Sequence, residues 1–167
     1  MRKSIIAILM TFCLSIMTYA QTPRDRATEL KEQAQSSLNQ KDYIKARYLF
    51  KKAYEAFATR ENYPQAIECG VQANALYVRE NFYKEGFELC RDMDQLIWAG
   101  EQNQKKVFYD LRFLVNKERL QMYTALKNPA QAKTQLNKLE ETANLAKNDS
   151  LTEVLPVSYT HLRAHET

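Results

Sequence analysis

Residues 42–58, DYIKARYLFKKAYEAFA, set the terms for the rest of the chain. Tyr43, Ala46, Phe50, Ala53, Tyr54 and Phe57 recur at steps of three and four, so they share one face of a helix. Asp42 stands where its carboxylate can accept the free N–H groups of the first turn. Lys45, Arg47, Lys51, Lys52 and Glu55 fall largely on the opposite face, in water. Alanine at two seam positions lets a second helix come close. A helix of this kind needs partners to cover its apolar face.

The neighbouring segments supply them. Thr22-Pro23-Arg24-Asp25 reads as a helix start, and Ala27, Leu30, Ala34 and Leu38 form the seam of a helix to about Gln40. Asn62 and Gln65 have capping-box spacing ahead of a third helix with Ile67, Val71, Asn74, Ala75 and Val78 on its faces. A fourth helix is expected from Tyr83 to about Trp98, with Gly100 as its stop. Asn103 is expected to cap a fifth, through Val107, Leu111, Leu114, Leu120 and Tyr123. Asn128-Pro129-Ala130-Gln131 opens a sixth, through Ala132, Leu136, Leu139 and Ala143. Ser150-Leu151-Thr152-Glu153 is a further capping box, and the helix it announces reaches only Leu155. No segment alternates with a period of two, so no sheet is expected.

One register recurs. Tyr43, Ala46, Phe50 and Ala53 match Tyr83, Gly86, Cys90 and Met93, and then Pro129, Ala132, Leu136 and Leu139. The pitch is 40 residues from Ala46 to Gly86 and 46 from Gly86 to Ala132. Three helical hairpins thus share one seam. The first, with Leu30, Ala34, Tyr43, Ala46, Phe50 and Ala53, resembles a tetratricopeptide repeat, whose pitch is about 34. The other two are degenerate, with longer first helices, and Ala58 replaces the family's closing Pro. The resemblance implies an all-α stack of antiparallel hairpins, a TPR-like α-solenoid, over residues 21–155.

The two ends have a different character. Arg2 and Lys3, the apolar run from Ile5 to Met17 and the small residues before Gln21 are laid out as a signal peptide, residues 1–20, cut after Ala20. The expected site is then the periplasmic side of a bacterial inner membrane. Its removal lowers the formal charge from +4 to +2, and no basic stripe suggests nucleic acid. Residues 156–167 lose the seam and resemble an adapter-derived tail found on unrelated assembled sequences. The chain is accordingly expected to be the N-terminal part of a longer protein.

Candidate chemistry is sparse. His161 and His165 stand four apart but in that tail, without a third ligand nearby. Glu88, Asp92, Asp94, Glu140 and Glu141 pair acids, as glycosidases do, but on amphipathic helices where they read as a solvated face. With only 3 Gly, no glycine-rich phosphate loop is available. No catalytic residue, cofactor or metal is expected. Cys69 and Cys90, paired across the third and fourth helices, would be staggered by about 6 Å along axes about 9 Å apart. That exceeds a disulfide's reach, so buried thiols are expected. Tyr48, Tyr54, Tyr63, Tyr77, Tyr83, Tyr109 and Tyr123 read as inter-hairpin packing rather than binding anchors.

In the repeat family, peptides bind along the face lined by the first helix of each hairpin. Carried over, that lining is Lys31, Gln35 and Asn39 in the first unit and Lys117 and Gln121 in the third. A signal peptide followed by degenerate repeats further resembles the extracytoplasmic sensor half of Bacteroidetes signalling proteins. Their output is a histidine kinase or helix-turn-helix module beyond a transmembrane helix. The resemblance implies a protein or peptide partner, or self-association. The alternatives are a self-contained periplasmic adaptor, or an exported hydrolase whose catalytic domain lies downstream.

Overall fold

The computed structural model describes residues 25–146. The signal segment, Thr22-Pro23, the Ser150 capping box, both His and the tail lie outside them. Within them are six helices: α1 Arg26–Asn39, α2 Tyr43–Thr59, α3 Tyr63–Arg79, α4 Tyr83–Gln104, α5 Tyr109–Ala125 and α6 Pro129–Ala146. No strand occurs among the described residues, and the all-α expectation holds.

Four of the five connections are one three-residue turn used repeatedly. Lys41, Glu61, Asn81 and Lys127 take positive φ, and the next residue donates its N–H to a carbonyl five residues back. Asp42 reaches Ser37, Asn62 reaches Phe57, Phe82 reaches Tyr77 and Asn128 reaches Tyr123, at 2.9–3.0 Å. Asp42, Asn62 and Asn128 then cap the following helix by accepting from the third residue on, as the sequence implies. Asp25 caps α1, accepting from the Ala27 N–H. The capping box at Asn62 is half formed, because the Asn62 N–H donates to the Phe57 carbonyl and the Gln65 side-chain oxygen accepts from Lys31. Such short turns lay each helix antiparallel to the last.

The expected seams are buried beyond their first position, where Tyr43 and Tyr83 are half-buried and Pro129 is exposed. Ala46, Gly86 and Ala132, then Phe50, Cys90 and Leu136, then Ala53, Met93 and Leu139 all point inward. One core cluster runs from α1 into α5, and a second joins α5 to α6 through Phe113, Leu120, Leu136 and Leu139. Burying each large apolar side chain is worth about 1.5–3 kcal/mol. The α2–α3 hairpin is also bolted at its open end, opposite the turn. Arg47 pairs with Glu80 and lies over the rings of Tyr77 and Phe82, and Arg79 stacks on Tyr43 at 3.8 Å.

Three boundary expectations fail, for one physical reason. Gly100 does not stop α4, which runs on to Gln104 and ends at Lys105 in the left-handed region. Asn103 does not cap α5. It lies in the last turn of α4, and its amide donates to the Tyr63 hydroxyl at 3.2 Å. Helix α5 instead begins at Tyr109, and Val107, expected in its seam, is 45% exposed in the preceding loop. The missing side chain at Gly100 serves packing rather than turning. A Cβ there would lie 2.8 Å from the Phe108 ring and 2.9 Å from the Tyr63 ring. Ala75, placed on a helix face in the sequence, is exposed.

Gly70 offers the contrast, since its nearest obstacle is the flexible thioether of Met93, at 2.5 Å. Alanine gains about 1 kcal/mol of helix propensity over glycine at either site. Against rigid rings, overpacking costs about 1–3 kcal/mol. Gly100→Ala is therefore expected to lower stability by up to about 2 kcal/mol, and Gly70→Ala by less, as read from urea denaturation midpoints.

Candidate interaction surfaces

Helix α3 stands between α1 and α5. Lys31 of α1 reaches it with an ion pair to Glu68 and a hydrogen bond to Gln65, both 2.8 Å. On the other side the Asn74 amide donates to the Glu118 carboxylate of α5 at 3.0 Å. The exposed stripe of α3 is Glu68, Gln72, Ala75 and Arg79. Lys117 and Gln121 of α5 lie beside Glu118, turned to the same side as that stripe by helix periodicity. The five residues expected to line a groove thus lie along α1 and α5, flanking one polar strip. Lys31 is tied down within it. Gln35 and Asn39 bond each other at 3.2 Å on an exposed surface. Gln121 is exposed and Lys117 half-buried.

A second surface, which the sequence reading missed, lies where the C-terminal ends of α4 and α6 flank the N-terminal half of α5. The groove there has a volume of about 640 Å³. Its floor is one stripe of α5, Tyr109, Arg112, Asn116 and Arg119. Ile97 and Trp98 of α4 form one wall and Lys138, Thr142 and Leu145 of α6 the other. Trp98, Val107 and Leu145 are 62%, 45% and 53% exposed. Three large apolar side chains in water around one depression are unusual. The cations of the floor are already engaged, Arg119 with Asp94 at 2.5 Å and Arg112 with Glu101. The lone Trp of the chain was the available signal. It could not be read alone, because Trp98, Val107 and Leu145 converge only in three dimensions.

Two buried carboxylates carry the strongest electrostatics. Glu101 is 7% exposed and accepts from the Phe108 N–H at 2.9 Å and from Arg112 Nε at 2.7 Å. Its second oxygen also faces the guanidinium. The bonded Arg112 holds its carboxyl below the usual range. Glu118, 4% exposed, moves the other way, because burial disfavours its charged form. Asn74, its donor, is fully buried, and its own Oδ1 has no hydrogen-bond partner among the described residues.

The other candidates resolve simply. Cys69 and Cys90 are free and buried, and burial raises their thiols to about 11 and about 12. They behave as small apolar residues and not as nucleophiles. Glu88, Asp92 and Glu141 are exposed, and Asp94 serves Arg119. Of the tyrosines, Tyr54 and Tyr63 are core, Tyr77, Tyr83, Tyr109 and Tyr123 are half-buried, and Tyr48 is 61% exposed. Among the described residues no group of three His, Cys, Asp or Glu could hold a metal, and no helix is long and apolar enough to cross a membrane. No protein-family model matches the chain, and neither a curated protein nor a solved structure matches it.

Proposed function

We propose that the chain is a tetratricopeptide-like interaction scaffold, exported by its first 20 residues, that binds a protein or peptide along the polar strip of α1, α3 and α5. We further read it as the periplasmic sensory part of a membrane-anchored signalling protein. The observation that carries the binding reading is the strip itself. Gln35, Asn39, Gln72 and Gln121 present amide donors and acceptors from three helices that run in the same direction. Side chains of this kind can bond an extended peptide backbone, which offers both donors and acceptors. Lys117 adds one positive charge at the edge.

The test is selection of peptides from a random displayed library against the chain beginning at Gln21. Affinities are then measured for Gln35→Ala, Lys117→Glu and Trp98→Ala variants. The two strip changes are expected to weaken binding about tenfold or more, which is about 1.4 kcal/mol, while Trp98→Ala leaves it intact. Peptides indifferent to both strip changes would sink the reading.

A further inference from the structure

We propose that the groove beside Trp98 is a binding site for a neutral oligosaccharide, whose ring stacks on the indole and whose hydroxyls are held by Asn116, Lys138 and Glu141. This inference is independent of the polar strip.

The charges of the groove decide which ligands it can prefer. Its cations are Arg112 and Arg119 on the floor and Lys138 on the α6 wall. Arg112 is paired with Glu101 and Arg119 with Asp94. Glu141, three residues on from Lys138 along α6, lies in the same lining. Cations and acids thus cancel one for one, and no net field draws in an anion or a cation.

Three side chains of the lining are free to bond a ligand. Asn116 is half-buried on the floor between the two arginines, and its amide has no hydrogen-bond partner among the described residues. The Lys138 ammonium and the Glu141 carboxylate likewise make no ion pair or hydrogen bond among them. Asn116 offers donors and an acceptor, Lys138 donors only and Glu141 acceptors only. A sugar hydroxyl both donates and accepts, so each of the three can bond one. A purely apolar ligand would strip water from Asn116 and put nothing in its place.

The α4 wall supplies the apolar half of the site. Trp98 is 62% exposed, so at least one face of its indole is open to water. The C–H groups on the flat side of a pyranose ring carry slight positive charge, and they pack against the negative face of an aromatic ring. Val107 and Leu145 add exposed apolar edges to the same depression. Ile97, the other apolar residue of the α4 wall, is 1% exposed and offers no surface to a peptide's apolar anchor. The volume, about 640 Å³, lies within the usual range for small-ligand sites. Lys138 to Leu145 along α6 spans about 10 Å, roughly the length of two linked pyranose rings.

Trp98 is the only tryptophan in the chain, so its fluorescence reports occupancy directly. The probes are linear neutral oligosaccharides of glucose, xylose, mannose and N-acetylglucosamine, added to the full 167-residue chain, with oligogalacturonate as the charged comparison. At least one neutral probe is expected to shift the emission to shorter wavelength and to saturate with a Kd of about 1 mM or tighter. By calorimetry, Trp98→Leu and Asn116→Ala are each expected to weaken that probe about tenfold or more, whereas Trp98→Phe, which keeps a flat ring, costs severalfold less. Gln35→Ala, in the polar strip, leaves the affinity unchanged. Should Asn116→Ala lose helix content, Lys138→Ala on the exposed wall takes its place, with the same loss expected. The proposal is overturned if no neutral probe saturates by about 10 mM, or if oligogalacturonate binds more tightly than every neutral probe. It is also overturned by equal affinities of the Trp98→Leu and Trp98→Phe chains, or by binding that survives the Asn116 or Lys138 change. A displayed peptide whose affinity depends on Trp98 and not on Gln35 overturns it too, because the groove would then serve a protein.

Discussion

Glu101→Ala is expected to cost about 2–3 kcal/mol at neutral pH, measured by urea denaturation. The carboxylate accepts from the Phe108 N–H and from two nitrogens of Arg112, so it ties the end of α4 to the start of α5 across a loop with no side-chain cap of its own. Hydrogen bonds to a charged group are worth about 1.5–3 kcal/mol each. The total is discounted because the Arg112 side chain is 45% exposed and partly screened. Truncation also leaves the Phe108 N–H without its acceptor. Because the folded carboxyl is held below its unfolded value, its contribution is present above about pH 4.3 and is lost as pH falls through the folded value. The gap between parent and variant should therefore close in acid. A gap that persists unchanged at low pH would mean that the loss was packing and not the ion pair.

What local sequence reveals about this fold is what local physics decides. Asp42, Asn62 and Asn128 cap helices because their side chains reach amides three residues away, and no distant contact is needed. The seams of α2 and α6 were legible for the same reason, since a face of alanines and large apolar residues has one use. Gly100 was misread because glycine has two roles: stopping a helix or admitting another group at close range. Only the rings of Tyr63 and Phe108, 37 residues before and eight after it, decide between them. The strip residues were nominated by resemblance alone, and the structure adds that Lys31 is occupied by Glu68 and Gln65. The Trp98 groove was invisible because its walls come from α4 and α6 and its floor from α5. Asn74 and Glu118 were likewise hidden. In sequence they are ordinary polar residues 44 apart, and only helix packing buries them against each other.

That pair yields the second large effect, opposite in sign to the first. Glu118→Gln is expected to raise stability at neutral pH by about 1–2 kcal/mol, because a buried charge with incomplete partners gives way to a neutral side chain of the same shape. The geometry favours the amide twice over. The substituted side chain keeps an oxygen for the Asn74 N–H donor, and its new NH₂ group can turn to Asn74 Oδ1, which otherwise lacks a partner among the described residues. The pH dependence follows from the direction of the shift. Burial raises the folded carboxyl above its unfolded value, so between the two values the folded state holds a proton that the unfolded state has released. The parent therefore loses stability as pH rises through that window, and the loss levels off above the folded value. The variant should lack this slope and converge with the parent below about pH 4.3. Asn74→Ala acts in reverse. It removes the donor while leaving the carboxyl buried, so it should destabilise by about 1–3 kcal/mol and steepen the slope. Glu101 and Glu118 thus place opposite pH slopes in separate windows of one chain, one below the ordinary carboxylate range and one above it. Stability measured from pH 3 to 8 on the two single variants separates them. If Glu118→Gln proves destabilising at neutral pH, the carboxylate must be held charged by donors that Asn74 alone does not provide.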